Sequence, residues 1–299
     1  MRDVETSSLR IGVVGSGQMG AGIAEVFARS GLDTRVAEAS PEALAAGRDR
    51  LENSLARATA RGKLTKAEHD AALAQLSWTT ELHDLGDRDL VIEAVVENEQ
   101  VKAEIFRTLD AVVGPDTILA SNTSSIPLVD LAVVTGRPEN VIGLHFFNPA
   151  PVQKLVEIIP ALTTSPRTIE RTQTLVSHTL GKHPIRAQDR AGFVVNALLI
   201  PYLLAAIRMV ENGTASRDDI DNGMVFGCAH PMGPLALCDL IGLDTVQAIA
   251  DSLYEEYKEV SYAPPPLLRR MVAGGRLGRK SNIGFYLHEA PTGRPSEHA

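Results

Sequence analysis

His145 closes a short apolar run, Val141-Ile142-Gly143-Leu144, and Pro149 and Pro151 then force the chain to turn. The chain re-enters a second apolar run, Leu155-Val156-Glu157-Ile158-Ile159, which holds one acid. A carboxylate inside such a run is costly unless something pairs with it. The nearest partner in sequence is the histidine across the turn. Histidine is the side chain whose proton moves near physiological pH. A carboxylate at one ring nitrogen would fix which nitrogen remains to take a proton. The spacing therefore predicts a general base and its orienting acid at the end of a pair of strands.

A second constellation lies near the N-terminus. Leu9 to Val14 reads as a buried strand of the parallel type, and it runs into Gly15-Ser16-Gly17-Gln18-Met19-Gly20. A helical stretch from Ala21 to Ser30 follows and ends before Gly31. This is GxGxxG in the strand–turn–helix context that a dinucleotide site needs. Gly15 would make the turn, Gly17 would let a pyrophosphate approach the backbone, and Gly20 would let helix and strand pack closely. The helix N-terminus, with Gln18 and Met19 leading into it, offers N–H groups and the positive dipole end to phosphates. A second strand, Thr34 to Ala37, ends at Glu38, where such folds place a ribose-binding acid. Glu38 would accept from ribose hydroxyls and repel a 2′-phosphate, so NAD is favoured. Arg35 sits in the same strand and could swing toward a 2′-phosphate, so NADP stays open. The plainer alternative for Glu38 is a solvated acid at a strand end.

These groups must be carried by a substantial scaffold. The chain has 299 residues, 44% of them hydrophobic, enough for one large domain or two unequal ones with a real core. Its net charge of −8 gives no general attraction to nucleic acid, and 4% aromatic residues argue against base-stacking platforms. The two cysteines, Cys228 and Cys238, have no CxxC spacing; they fit a reducing cytoplasm and give neither a disulfide framework nor a metal site. Met1 to Ser8 lacks the basic and apolar regions of a signal peptide. The apolar run from Phe193 to Val210 contains Asn196, Pro201 and Arg208, so it reads as a core or dimer-interface helix and not as a membrane span.

The elements alternate as in an α/β fold. After Glu38 a long helix is predicted from Pro41 to Arg61, with Ser40 as N-cap, and a second from Lys66 to Leu76, opened by the capping box Thr65-Lys66-Ala67-Glu68. This inserted hairpin exceeds what a crossover requires. Arg50, Arg57 and Arg61 share one face of its first arm, with Lys63 just beyond. That stripe could clamp a phosphate-bearing substrate tail, or be a solvated face. Asp89 to Ala94 is the next strand, with Glu93 and Glu97 near its end, then a helix from Glu99 to Val112 and a strand from Thr117 to Ala120. That strand opens into Ser121-Asn122-Thr123-Ser124-Ser125, in which Ser125 is a candidate cap for a short helix near Pro127. Ligands in open α/β sheets collect beyond the C-terminal strand ends; Glu97, Ser124 and His145 each fall near one. A helix from Thr168 to Leu180 and an edge strand, His183 to Arg186, complete residues 1–190 as a Rossmann-type domain. Residues 191–299 form an all-α domain, whose apolar surface points to dimerisation. The tail after Tyr286 is expected to be disordered.

Five motifs together resemble the 3-hydroxyacyl-CoA dehydrogenases: Gly15 to Gly20, Asn122-Thr123-Ser124-Ser125, His145 to Pro149, Gly192-Phe193-Val194-Val195-Asn196 and His230-Pro231-Met232-Gly233-Pro234. The likeness spans Leu9 to Tyr286 and is nearer to the bacterial single-enzyme branch acting on 3-hydroxybutyryl-CoA. It implies NAD-dependent oxidation of an (S)-3-hydroxyacyl-CoA to the 3-ketoacyl-CoA, in a cleft between the two domains of a homodimer. By resemblance His145 is the acid–base residue, Glu157 its partner, and Ser124 and Asn196 substrate contacts. Glu38, Glu97, Lys102, Asn148 and Lys280 fall on cofactor contacts, and Ser54 and Arg61 on contacts to CoA, which tips the basic stripe toward function. The chain carries Asn282 where the family usually has glycine; asparagine tolerates left-handed backbone better than most residues. Two alternatives accompany this reading: a related dehydrogenase acting on a carrier-protein thioester or a free hydroxy acid, and a non-catalytic NAD-binding structural protein.

Overall fold

The computed structural model describes residues 9–288, and the chain divides into two compact units after Phe193. The first unit is built on one sheet. Its strands are β1 (Arg10–Val14), β2 (Asp33–Ala37), β3 (Leu76–Thr79), β4 (Leu90–Glu93), β5 (Ile118–Ser121), β6 (Val141–Phe146), β7 (Leu155–Pro160) and β8 (His183–Arg186). Their order across the sheet is β3-β2-β1-β4-β5-β6-β7-β8. All neighbours are parallel except β6 and β7. The chain leaves β1 to one side for β2 and β3, then crosses back to place β4 on the other. The gap beyond β1 and β4 is therefore the switch point at which such sheets bind ligands.

Both faces of the sheet are covered, which is why its strands read as unbroken apolar runs. Alternate residues serve opposite faces. Leu90 and Ile92 of β4 and Ile142, Leu144 and Phe146 of β6 join one apolar layer, with Phe27 and Leu51. Val91 and Val141 join the other, with Phe106, Leu109 and Leu131. The helices are α1 (Gln18–Arg29), α2 (Pro41–Ala60), α3 (Lys66–Ala74), α4 (Glu99–Val112), α5 (Leu128–Ala132) and α6 (Pro166–Thr174), which runs on into a π-helical turn, Leu175–Thr179. Ser40 caps α2 and the Thr65/Glu68 box caps α3, as their spacing predicts.

Two local expectations are corrected. The chain after α3 forms β3, which the sequence reading missed; it pairs in parallel with β2, Thr34 opposite Leu76. The helical hairpin is thus itself the crossover from β2 to β3. The cap of α5 is not Ser125. Asp189, 61 residues on, accepts from the backbone N–H of Leu128 at 2.8 Å, and at 3.0 Å from that of Val129.

The second unit is helical: α7 (Val195–Glu211), α8 (Arg217–Cys228), α9 (Pro234–Ile241), α10 (Leu243–Tyr257) and α11 (Pro266–Ala273). The His230–Pro234 motif has a packing reason. Gly233 approaches Asp221 so closely that a Cβ would lie 2.3 Å from its side chain, and Asp221 accepts from the N–H groups of Leu235 and Ala236 at the start of α9. The expected disorder beyond Tyr286 is not seen at His288, whose Nε2 lies 2.8 Å from Asp239; the rest of that tail, and Met1 to Ser8, lie outside the described residues. Among the described residues no helix is long and apolar enough to cross a membrane.

Candidate active site

β6 and β7 are antiparallel, and His145 stands directly opposite Glu157. Opposed residues of such a pair share a face of the sheet. His145 Nδ1 lies 2.7 Å from Glu157 Oε2, with the histidine 7% exposed and the acid fully buried. A carboxylate only accepts, so the proton of the neutral ring sits on Nδ1 and Nε2 is left as the acceptor. Two rings meet the imidazole edge-on, Phe147 at 4.7 Å and Phe193 at 5.4 Å between centroids. Phe193 is held at φ +46°, a left-handed conformation that strains a bulky residue. Gly192, just before it at φ +77°, donates its N–H to the Ser124 carbonyl at 3.4 Å. Asn122 has a role the sequence reading missed. Its Oδ1 accepts from Phe146 N at 2.8 Å, fixing the serine-rich segment to the strand end that carries His145.

The neighbouring strand ends hold a charge network. Lys102 of α4 is 1% exposed, and its Nζ lies 2.6 Å from Glu93 Oε1 and 3.2 Å from Glu97 Oε2. Glu93 also accepts from Val95 N and Ser121 Oγ. Glu97 Oε1 accepts from Thr123 Oγ1, Ser124 N, Ser125 N and Ser125 Oγ at 2.5–3.2 Å. The Ser125 hydroxyl is thus spent on Glu97 rather than on α5. Burial pushes the Glu97 carboxyl upward, but the Lys102 ammonium and these hydrogen bonds outweigh it and hold the carboxyl below its ordinary value. Glu97 therefore shapes the loop that presents Ser124.

The glycine loop has the form a dinucleotide needs. Gly15 is at φ +90°. A Cβ on Gly17 would meet nothing within 4 Å, so that backbone is open to a phosphate, whereas one on Gly20 would lie 2.0 Å from the Gly15 carbonyl oxygen. Glu38 completes the loop. Its Oε1 accepts from Ser16 N at 2.6 Å and from Ser16 Oγ at 3.1 Å. These residues fit NAD: N–H groups of the loop and of the first turn of α1 for the pyrophosphate, Glu38 for the ribose. Gly20→Ala should cost about 1–3 kcal/mol of stability through overpacking and weaken NADH binding. Chemical unfolding and NADH fluorescence titration check this, and unchanged values for both would show that the loop yields.

Residues 10–190 match the family description "3-hydroxyacyl-CoA dehydrogenase, NAD binding domain", and residues 192–288 match its C-terminal domain. The chain belongs to the 3-hydroxyacyl-CoA dehydrogenase family. Among its relatives is a 3-hydroxybutyryl-CoA dehydrogenase of Mycobacterium tuberculosis, 57% identical over 280 residues, covering 93% of this chain and 98% of the relative. Two solved structures are similar to it. The crystal structure of M. tuberculosis FadB2 has a TM-score of 0.93 at 56% identity, covering 94% of this chain and 99% of that one. That of the (S)-3-hydroxybutyryl-CoA dehydrogenase PaaH1 from Ralstonia eutropha has a TM-score of 0.89 at 44% identity, covering 95% and 100%.

The dehydrogenase places its remaining candidate residues as follows. Asn148 is exposed in the turn after β6, Ser54 lies half-buried on the Arg50 face of α2, and Arg61 is the exposed C-cap residue at the end of that helix. Asn196 is buried in the first turn of α7, and Lys280 is ion-paired with Asp244; both belong to the second unit. Asn282 is at φ +59°, so asparagine takes the left-handed backbone that the loop after Lys280 requires. Arg35 is not available to swing. Asp87 pairs with it at 3.5 Å, and the Asp84 carbonyl and Ser77 hydroxyl accept from it.

Proposed function

We propose that this dehydrogenase interconverts (S)-3-hydroxyacyl-CoA and 3-ketoacyl-CoA with NAD(H), with the 3-hydroxybutyryl thioester as its substrate, in fatty-acid or butanoate metabolism. The observation that carries the reading is the buried His145–Glu157 hydrogen bond, with His145 at the C-terminal end of β6 as the glycine loop is at that of β1. NAD, when bound, supplies the hydride chemistry. In the oxidative direction His145 Nε2 takes the proton of the C3 hydroxyl. Glu157 holds the ring by Nδ1–H and stabilises the imidazolium that forms. Ser124 and Asn196 hold the C3 oxygen, and the ring edges of Phe147 and Phe193 exclude water from the imidazole. Glu97 and Lys102 support the cofactor side through the Ser124 loop, Asn148 and Lys280 contact the cofactor, and Ser54 and Arg61 take the CoA tail.

The test is NADH oxidation followed by absorbance with acetoacetyl-CoA, with free acetoacetate and the carrier-protein thioester as comparisons. Turnover confined to the CoA ester supports the reading; equal turnover of the free acid overturns it. Glu157→Gln should lower turnover by up to about 10⁴-fold, as when the orienting carboxylate of a catalytic triad becomes an amide. Turnover close to wild type would reduce Glu157 to a satisfied buried acid.

We also propose a cytoplasmic homodimer that joins through the second unit. Leu198, Phe226 and Leu240 are respectively 72%, 84% and 47% exposed there, a large apolar share for a free surface. Light scattering on the purified protein tests the dimer, and a monomer at working concentration would refute it.

A further inference from the structure

The arginines of α2 do not all serve one ligand. Gly47 packs so tightly on the glycine loop that a Cβ there would lie 1.8 Å from Ser16 Oγ. One turn further, Arg50 donates from its guanidinium to the Ser16 carbonyl at 2.6 Å. Ser16 is the residue whose N–H and hydroxyl are held by Glu38. The exposed end of Arg50 and the carboxylate of Glu38 thus flank one residue, at the strand end where the adenosine ribose is expected. A guanidinium carries five N–H donors in a fork suited to phosphate, and the carbonyl takes one of them. The other arginine of this region, Arg35, is occupied by Asp87, Asp84 and Ser77.

We propose that Arg50 is a specificity-determining residue, a built-in contact for a ribose 2′-phosphate that gives the NAD site a latent affinity for NADP, which Glu38 suppresses. The inference rests on the dinucleotide reading of the glycine loop and deepens it. With Glu38 present, its charge repels the phosphate and Arg50 serves as a brace on the Ser16 carbonyl. With that charge removed, the same guanidinium meets a 2′-phosphate as a charge-assisted partner.

The test is titration of NADH and of NADPH by nucleotide fluorescence, without acyl-CoA, into wild type, Glu38→Ser, Glu38→Ser/Arg50→Ala and Glu38→Ser/Arg35→Ala. Glu38→Ser should tighten NADPH at least about tenfold, the size of one charge-assisted hydrogen bond, and weaken NADH. Adding Arg50→Ala should abolish the gain, and adding Arg35→Ala should leave it. The gain should also shrink as salt is raised. No gain in a Glu38→Ser variant that still binds either nucleotide, or a gain lost through Arg35 and kept without Arg50, overturns the proposal. Glu38 also accepts from Ser16 N, so Glu38→Gln, which keeps an acceptor without the charge, decides if the serine variant binds neither nucleotide: tighter NADPH supports the proposal, and unchanged NADPH overturns it. Failure of the wild type to bind NADH would instead refute the dinucleotide reading.

Discussion

His145→Gln is expected to reduce turnover by about 10²–10⁴-fold, the share that a positioned general base contributes, while NADH binding is kept. Glutamine fills much of the same space and can still donate to Glu157, so the buried carboxylate keeps a partner and the strand pair should survive. What it lacks is an atom that can carry a proton away from the C3 hydroxyl and return it. The glycine loop and Glu38 lie on other strands, at the ends of β1 and β2, and should be indifferent to the change. Steady-state turnover with the acyl-CoA and a fluorescence titration of NADH measure the two quantities separately. Turnover within threefold or so of wild type would remove His145 from the chemistry. Loss of both turnover and NADH binding would show that the variant damages the fold.

The largest expected effect on stability comes from Lys102→Met. Methionine has nearly the length of the lysine stem, so packing is largely kept and the lost charge dominates. The ammonium is the cation shared by Glu93, fully buried, and Glu97. Breaking a buried ion pair from one side costs about 3–5 kcal/mol, because the other charge is left uncompensated. The pH dependence gives the sign. In the wild type Glu97 is held below the ordinary carboxylate range. Its contribution is therefore present above that range and is lost as pH falls through the depressed value. In the variant the Lys102 share of that depression is lost, so the deficit should shrink as pH falls toward the carboxylate range. Urea unfolding at several pH values checks this. A deficit that stays constant with pH would assign the loss to packing.

Much of the site could be read in the residues because local rules governed it. The glycine loop sits between a strand and a helix within ten residues, so short-range turn chemistry sufficed. His145 and Glu157 sit on two apolar runs joined by one proline turn, so the nearest partner in sequence was also the partner across the strand pair. The omissions have equally physical causes. β3 is four residues long and follows a helix directly, so its alternation, Leu76-Ser77-Trp78-Thr79, is too short to stand apart from the helical pattern before it. The carboxylate that caps α5 comes from Asp189, and no spacing rule reaches 61 residues. Glu93 and Lys102 were visible as a strand-end acid and a helix cation. Their burial as a pair depends on how α4 lies on the sheet, which is tertiary information. The same is true of Arg50, whose partner is a backbone carbonyl without any side-chain signature.

The antiparallel placement of β7 also determines where the gene can tolerate insertions and deletions. The turn from Phe147 to Lys154 has exposed positions such as Val152, and its ends are set by the strands that flank it. A residue gained near its tip changes loop length alone. One residue gained between Leu155 and Glu157 would shift β7 against β6 and carry the acid to the opposite face of the sheet. Length variation among descendants of this chain should therefore gather at the turn's tip, with the two strands on either side kept in constant phase.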